Sequence, residues 1–213
     1  MTTVIGLHRK FQRNVQDYGI PVAVSKTIKY LLRFIYDSKV YRIYLINLTE
    51  FTPRIQQHSN YQYRFIDEND AACIRQIEHM EEWLEGTVSK KLRNGGLCLV
   101  AMDKENLAGF NIVAFGTVYM TLVKKYRVFR AGEAWSEQIT VNNRYRGKGL
   151  GSELRFRMFA ELKARGTRKF YGGTLSNNEA NLKLTRKVGF REIADIEYVS
   201  ILNFRRRRTR RVK

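Results

Sequence analysis

Cysteine is scarce in this chain. Only Cys73 and Cys98 occur among 213 residues, far apart and in no CxxC pair. That excludes a disulfide scaffold and a thiolate-rich metal cluster, and it fits a reducing compartment. Histidine is nearly as rare: His8, His58 and His79 show no ligand spacing, so no metal site is expected. Long apolar runs are missing as well. No uncharged stretch reaches the ~18 residues that a bilayer-spanning helix needs. No uncharged apolar core follows the early basic residues, so residues 1–20 do not read as a secretory signal. Hydrophobic residues make up 44% of the chain, an ordinary share for a globular protein. The length holds one sizeable core, or one domain plus an appendage.

Acid is the other shortage. Twenty Asp and Glu face 39 Lys and Arg, a net charge of +19. The excess is uneven. Residues 1–60 hold nine cations against three acids, residues 61–204 hold 23 against 17, and residues 205–213 hold seven against none. The run Arg205-Arg206-Arg207-Arg208-Thr209-Arg210-Arg211-Val212-Lys213 reads either as a solvated, disordered tail or as a patch for an anionic membrane, nucleic acid or an acidic partner. Nucleic acid is disfavoured, because charge is its only support and no binding motif accompanies it. Near the other end, residues 22–37 read as a helix. Val24, Ile28, Leu31, Leu32 and Ile35 lie on one face, with Lys26, Lys29 and Arg33 largely opposite. Such a face packs against the rest of the protein or lies on a membrane surface.

The most informative segment is Arg144-Tyr145-Arg146-Gly147-Lys148-Gly149-Leu150-Gly151. A β-branched run, Ile139-Thr140-Val141, precedes it. Leu150, Leu154, Met158 and Leu162 follow at four-residue spacing. A strand therefore enters a basic, glycine-rich turn that opens a helix. Unpaired amides and the positive end of the macrodipole make a helix N-terminus an anion site. Glycines let backbone approach a phosphate closely. The spacing matches neither a Walker loop nor the GxGxxG dinucleotide fingerprint.

What remains is Arg/Gln-x-x-Gly-x-Gly/Ala, here Arg144-x-x-Gly147-x-Gly149. Downstream, Asn178-Glu179-Ala180-Asn181-Leu182-Lys183-Leu184-Thr185-Arg186-Lys187-Val188-Gly189-Phe190 follows the pattern Asn-x-x-Ala-x-x-Leu-Tyr-x-Lys-x-Gly-Phe, with Asn181 in place of Ala and Thr185 in place of Tyr. On these two motifs the chain resembles the GNAT superfamily of N-acetyltransferases. The resemblance implies an α/β (α+β) fold, with a mixed, mostly antiparallel sheet of six to seven strands flanked by helices. To that fold an N-terminal helix–strand extension is added. The expected organisation is a basic extension over 1–59 (helix 22–37, strand 40–48), an acyltransferase domain over 60–204 and a basic tail over 205–213.

From residue 60 the elements fit that order. Tyr61–Ile66 reads as a strand. Asp67 or Asn69 caps a helix holding Ile74, Ile77 and Met80. Glu81–Leu92 reads as a second helix, closed by Asn94-Gly95-Gly96. Leu97–Met102 and Leu107–Tyr119 form a hairpin, and 124–132 is a basic loop. Glu133–Val141 is the central strand and Leu150–Arg165 the helix after the glycines. Lys169–Thr174 is a strand, Asn178–Val188 a helix, and Phe190–Leu202 the closing strand.

By resemblance, the chain transfers an acetyl group from acetyl-CoA to an amine by direct attack. The coenzyme would be held by Arg146, Gly147, Lys148, Gly149, Leu150, Gly151 and Ser152 at the diphosphate, by the backbone of Ile139, Thr140 and Val141 along the pantetheine arm, and by Asn178 and Asn181. A strand bulge near Glu137 or Gln138 would free an amide for the thioester carbonyl. Glu133 is the first candidate base and Glu137 the second; either carboxylate could instead pair with Arg127 or Arg130. Thr185 stands where the family's proton-donating Tyr usually lies, but a threonine hydroxyl is a far weaker acid than a phenol. Tyr171 is an alternative donor. The basic loop 124–130 favours an acidic acceptor. Two further readings stay open: a membrane-surface acyltransferase taking longer chains from acyl carrier protein, and a coenzyme-binding module with little catalysis. A cytoplasmic location is expected, with a peripheral position at the inner membrane surface as the alternative.

Overall fold

A computed structural model describes residues 11–12, 15, 19–32, 36–52, 61–202 and 204–212. His8, His58 and Ile35 lie outside the described residues. The helices bounded within the described residues are α1 (Ile20–Leu32), α2 (Ala71–Met80), α3 (Val88–Arg93), α4 (Leu150–Ala164) and α5 (Glu179–Lys187). The strands are β1 (Tyr36–Asn47), β2 (Gln62–Ile66), β3 (Leu97–Asp103), β4 (Asn106–Ala114), β5 (Thr117–Met120), β6 (Lys125–Val128), β7 (Glu133–Val141), β8 (Lys169–Leu175), β9 (Arg191–Ile201) and β10 (Phe204–Arg211).

Eight strands are hydrogen-bonded in the order β10-β9-β1-β8-β7-β4-β3-β2, and β5 pairs with β6 in a separate ribbon. β7 and β8 run parallel, whereas β2–β3, β3–β4, β4–β7 and β1–β8 are antiparallel. The mixed, mostly antiparallel sheet is the one expected, with eight strands rather than six to seven. The extra strand is the arginine run. It is not a solvated coil: Phe204–Arg211 is extended beside β9. An edge strand can carry this composition because its side chains stay in water while one row of backbone groups is satisfied.

Two compact units are formed. One comprises the described residues up to Val40 with Ile196–Arg210, the other Tyr41–Asp195 with the described residues beyond Arg210. In the second unit the sheet has a core on each face. α4 lays Leu150, Leu154, Met158, Phe159 and Leu162 against Leu97, Leu99, Ala101 and Phe170. On the other face α2 and α3 pack Ile74, Ile77, Val88 and Leu92 against Cys98, Val100, Phe110 and Ile112. β3 therefore alternates between two cores and is apolar at nearly every position, as a strand buried on both sides must be.

Several elements differ from the sequence expectation. Of the helix expected over 22–37, the described part is within Ile20–Leu32, and Tyr36–Val40 is strand rather than helix or loop. The second helix over 81–92 is split into a 3₁₀ turn (Glu82–Leu84) and α3, because the chain turns at Gly86 with φ +68°. The strand over 107–119 breaks at Gly116, and part of the basic loop becomes β6.

The cap of α2 is neither Asp67 nor Asn69. Asp70 takes that place, accepting from the Cys73 N–H at 3.2 Å and pairing with Arg64. The Arg64 guanidinium, then the Cys73 N–H, hold the Asp70 carboxyl below its ordinary value. Asp70→Ala should lower stability by about 1 kcal/mol in urea unfolding. Because the folded carboxyl titrates below its ordinary ~3.9, this contribution is present above that pH and is lost as pH falls through the lowered value. A variant whose wild-type difference persisted unchanged into that acid range would contradict the assignment.

Candidate active site

β7 places the site through two local departures from a regular ladder. Against β4, Ile112 faces Gln138 but Val113 faces Ser136, so Glu137 is the extra residue of a β-bulge. Against β8, β7 pairs only over Glu133–Trp135, opposite Lys169–Tyr171. Beyond Trp135 the two parallel strands separate and leave one backbone edge of β7 open. The bulge shifts the side-chain alternation by one. Ala134 lies on the α4 side before it, and Ile139 and Val141 lie there after it. Gln138 and Thr140 point to the opposite face, where Thr140 Oγ1 donates to Glu81 Oε1 at 2.9 Å and accepts from Gln138 Nε2 at 2.8 Å.

The open edge leads into the glycine turn. Asn142 closes a short 3₁₀ turn by accepting from the Arg144 N–H. Gly147 (φ +80°) and Gly149 (φ +82°) then sit in left-handed conformations, and Gly149 caps α4. The amides of Gly147, Lys148, Gly149, Leu150 and Gly151 have no hydrogen-bond partner among the described residues. The Arg146 amide is not free in the same way, since it donates to Asn143 O at 3.4 Å; the Ser152 amide donates to Gly149 O at 3.0 Å. The unpartnered amides are thus those of 147–151. Those amides at a helix N-terminus of fifteen residues suit a diphosphate.

These features border one cleft of about 810 Å³. Its walls include Glu137, Ile139, Thr140, Val141, Arg146, Gly147, Gly149, Leu150, Gly151, Ser152, Asn178 and Asn181, all anticipated from the sequence. Arg146 is tied back by its Nε, which donates to Val141 O at 3.0 Å. Asn178 caps α5, accepting from the Asn181 N–H at 3.1 Å. Glu137 pairs with Lys91 of α3.

Four anticipated residues, Lys148, Glu133, Tyr171 and Thr185, do not border the cleft. Lys148 is exposed beside it. Glu133 Oε2 accepts from the Arg130 backbone N–H and Oε1 from the Tyr171 hydroxyl, both at 3.1 Å. Those bonds, the backbone one foremost, hold the Glu133 carboxyl below its usual range. Tyr171 is thereby committed to Glu133, and burial pushes its phenol up. Thr185 is buried in α5, where its hydroxyl donates to the Asn181 carbonyl oxygen at 2.6 Å. That is the back-bond a mid-helix threonine commonly makes.

The cleft also contains residues that the sequence reading passed over. Glu81 lies between α2 and the 3₁₀ turn, and its Oε2 accepts from Trp83 Nε1 at 3.1 Å. Trp83, Tyr119, Met120, Thr121 and Leu122 line the same region. Tyr41, from β1, reaches across Gly173: a Cβ there would stand 2.6 Å from the phenol ring, so only glycine admits it. The Tyr41 hydroxyl forms no hydrogen bond among the described residues, and burial pushes the phenol well above its ordinary value. Beneath Ser136, Arg155 of α4 is buried without a carboxylate among the described residues, donating to Ser136 Oγ at 2.6 Å and Asn111 Oδ1 at 3.2 Å. Desolvation lowers its pKa to about 9. No local pattern marks Tyr41 or Glu81, because each joins the cleft from a distant part of the chain.

A strand freed from its parallel neighbour therefore runs into unpaired amides at a helix mouth. The sequence profile of the acetyltransferase (GNAT) family matches residues 41–190, and the chain belongs to that family. Solved structures agree on the fold. A GNAT-family protein from Novosphingobium aromaticivorans superposes with TM-score 0.55 at 16% identity, covering 76% of this chain and 63% of its own. A GCN5-related N-acetyltransferase from Sphaerobacter thermophilus gives 0.58 at 16%, covering 84% and 57%. The match thus spans roughly three-fifths of those proteins' lengths. No curated protein matches in sequence. Among the described residues, no helix is long and apolar enough to cross a membrane.

Proposed function

We propose that the protein is an N-acetyltransferase moving the acetyl group of acetyl-CoA to an amine by direct attack. The observation that carries this reading is the open edge of β7 between the Glu137 bulge and the five unpartnered amides of 147–151. The residues fit the donor: amides for a diphosphate, and free backbone at 139–141 for the pantetheine arm. Acetyl-CoA supplies an acyl group on a thiol leaving group. The rest of the chemistry falls to the protein. An amide freed at the bulge polarises the carbonyl. Glu137 takes the proton of the attacking amine, and Lys91 fixes its carboxylate. Tyr41 returns a proton to sulfur as the C–S bond breaks, in the role that Thr185 cannot fill with its hydroxyl bonded inside α5.

Tyr41→Phe should lower kcat by about 10²-fold, the low end for a positioned proton donor, with acetyl-CoA affinity unchanged. Stopped-turnover kinetics with calorimetric binding separate the two; an unaltered kcat removes Tyr41 from the chemistry.

For the acceptor, the cleft's own charges outweigh the distant ones. Arg127 of the basic segment lies over the rings of Phe129 and Tyr171 rather than in the cleft. Glu81 and Glu137, with Trp83 and Tyr119, suit an ammonium-bearing acceptor with an apolar or aromatic part. The acidic acceptor favoured by the basic loop 124–130 is the competing reading. Turnover of acetyl-CoA across acidic, neutral and cationic amines, read as free thiol, tests the whole proposal. Absence of both turnover and coenzyme binding would end it.

A further inference from the structure

From the smaller unit, we infer that the β9–β10 hairpin tip is a docking surface for an anionic lipid bilayer, with the exposed stripe of helix α1 a second apolar element of the same unit. The tip carries Ile201, Leu202 and Phe204, which are 51%, 67% and 75% exposed. Leu202, which follows β9, has φ +51°. β10 then continues as Phe204, Arg206, Arg208 and Arg210 on one face, with Arg207, Thr209 and Arg211 on the other. All the described cations of this strand are solvent-exposed. Helix α1, in the same unit, presents Ile20, Val24 and Ile28 as an exposed stripe at four-residue spacing, while Ala23 is buried. These three apolar positions of the helix are thus turned outward.

Spacing along the strand selects the partner. At ~3.3 Å per residue, Arg206 stands about 7 Å behind Phe204 and Arg208 about 13 Å. A headgroup layer is roughly 5–7 Å thick on each side of the hydrocarbon. With Phe204 at the acyl boundary, Arg206 meets the phosphates and Arg208 the aqueous side of the headgroups. The two unit segments, residues 1–40 and 196–210, hold twelve Lys and Arg against three acids, which complements an anionic leaflet. A nucleic acid would use the arginines but would leave the Ile201-Leu202 tip and the helix stripe in water.

The test uses the full chain with vesicles of phosphatidylcholine alone and of phosphatidylcholine mixed with phosphatidylglycerol. Sedimentation should show binding only to the mixed vesicles, weakening as salt rises. The double variant L202S/F204S should bind at least about tenfold more weakly, as removal of two inserting side chains implies. R206Q/R208Q should lose about tenfold or more. All these positions are exposed, and thermal melts should match the wild type. Independently, Leu202→Trp should give a blue-shifted emission when mixed vesicles are added. No binding to mixed vesicles, binding indifferent to L202S/F204S, or RNA binding that outcompetes vesicles would each overturn the inference. So would a dimer abolished by L202S/F204S, which would make a second copy the occupant.

Discussion

Glu137→Gln is expected to lower kcat by roughly 10²–10⁴-fold, the span for a positioned general base, while acetyl-CoA affinity stays near that of the wild type. Gln keeps the shape and a hydrogen bond to Lys91 but cannot take a proton. Glu133→Gln is the matched control. Its carboxylate is outside the cleft, held by the Arg130 N–H and Tyr171, and kcat should be unchanged within about twofold because no reacting atom is touched. The pair of variants is decisive because both acids sit on β7 and are chemically alike. If Glu133→Gln were the damaging one, the bulge would not be the catalytic feature. If neither changed the rate, a water chain or Glu81 would carry the proton.

Gly149→Val should weaken acetyl-CoA binding by about 100-fold or more, measured by calorimetry. Gly149 has φ +82°, where a β-branched side chain is strongly disfavoured, at a cost of ~1–2 kcal/mol. Relaxing that strain rotates the amides of the turn away from their common focus. Each hydrogen bond to a charged group contributes ~1.5–3 kcal/mol, so misaligning two reaches about 3–6 kcal/mol, and 1.4 kcal/mol is tenfold. Gly149 is half-buried at the cleft and precedes the core residue Leu150, so a thermal melt of the variant separates lost folding from lost binding. Full retention of coenzyme affinity would show that these amides are not the phosphate site.

The parts of the site legible in the sequence are those written in contiguous residues. Ile139-Thr140-Val141, the glycines at 147, 149 and 151, and the four-residue apolar spacing after them identify strand, turn and helix without reference to any other segment. The downstream motif from Asn178 to Phe190 does the same for α5. Composition was less reliable. The arginine run is extended as β10 because strand formation depends on a backbone partner, β9, and a charged side chain on an exposed strand stays solvated. The helix expected over 81–92 fails at one residue, Gly86, whose positive φ interrupts it. Three neighbouring acids and amides could all cap α2; Asp70 takes the role because Arg64, on the adjoining strand, pairs with it.

The chain's order of residues determined the family, the glycine turn and the strand that feeds it, since each depends on local backbone preferences acting over a few positions. Tertiary structure alone decided which carboxylate faces the cleft. The choice between Glu133 and Glu137 turns on a one-residue slip against β4 and on where β8 lets go of β7. Both are properties of pairs of strands, as is the arrival of Tyr41 and Glu81 from 96 and 56 positions before Glu137.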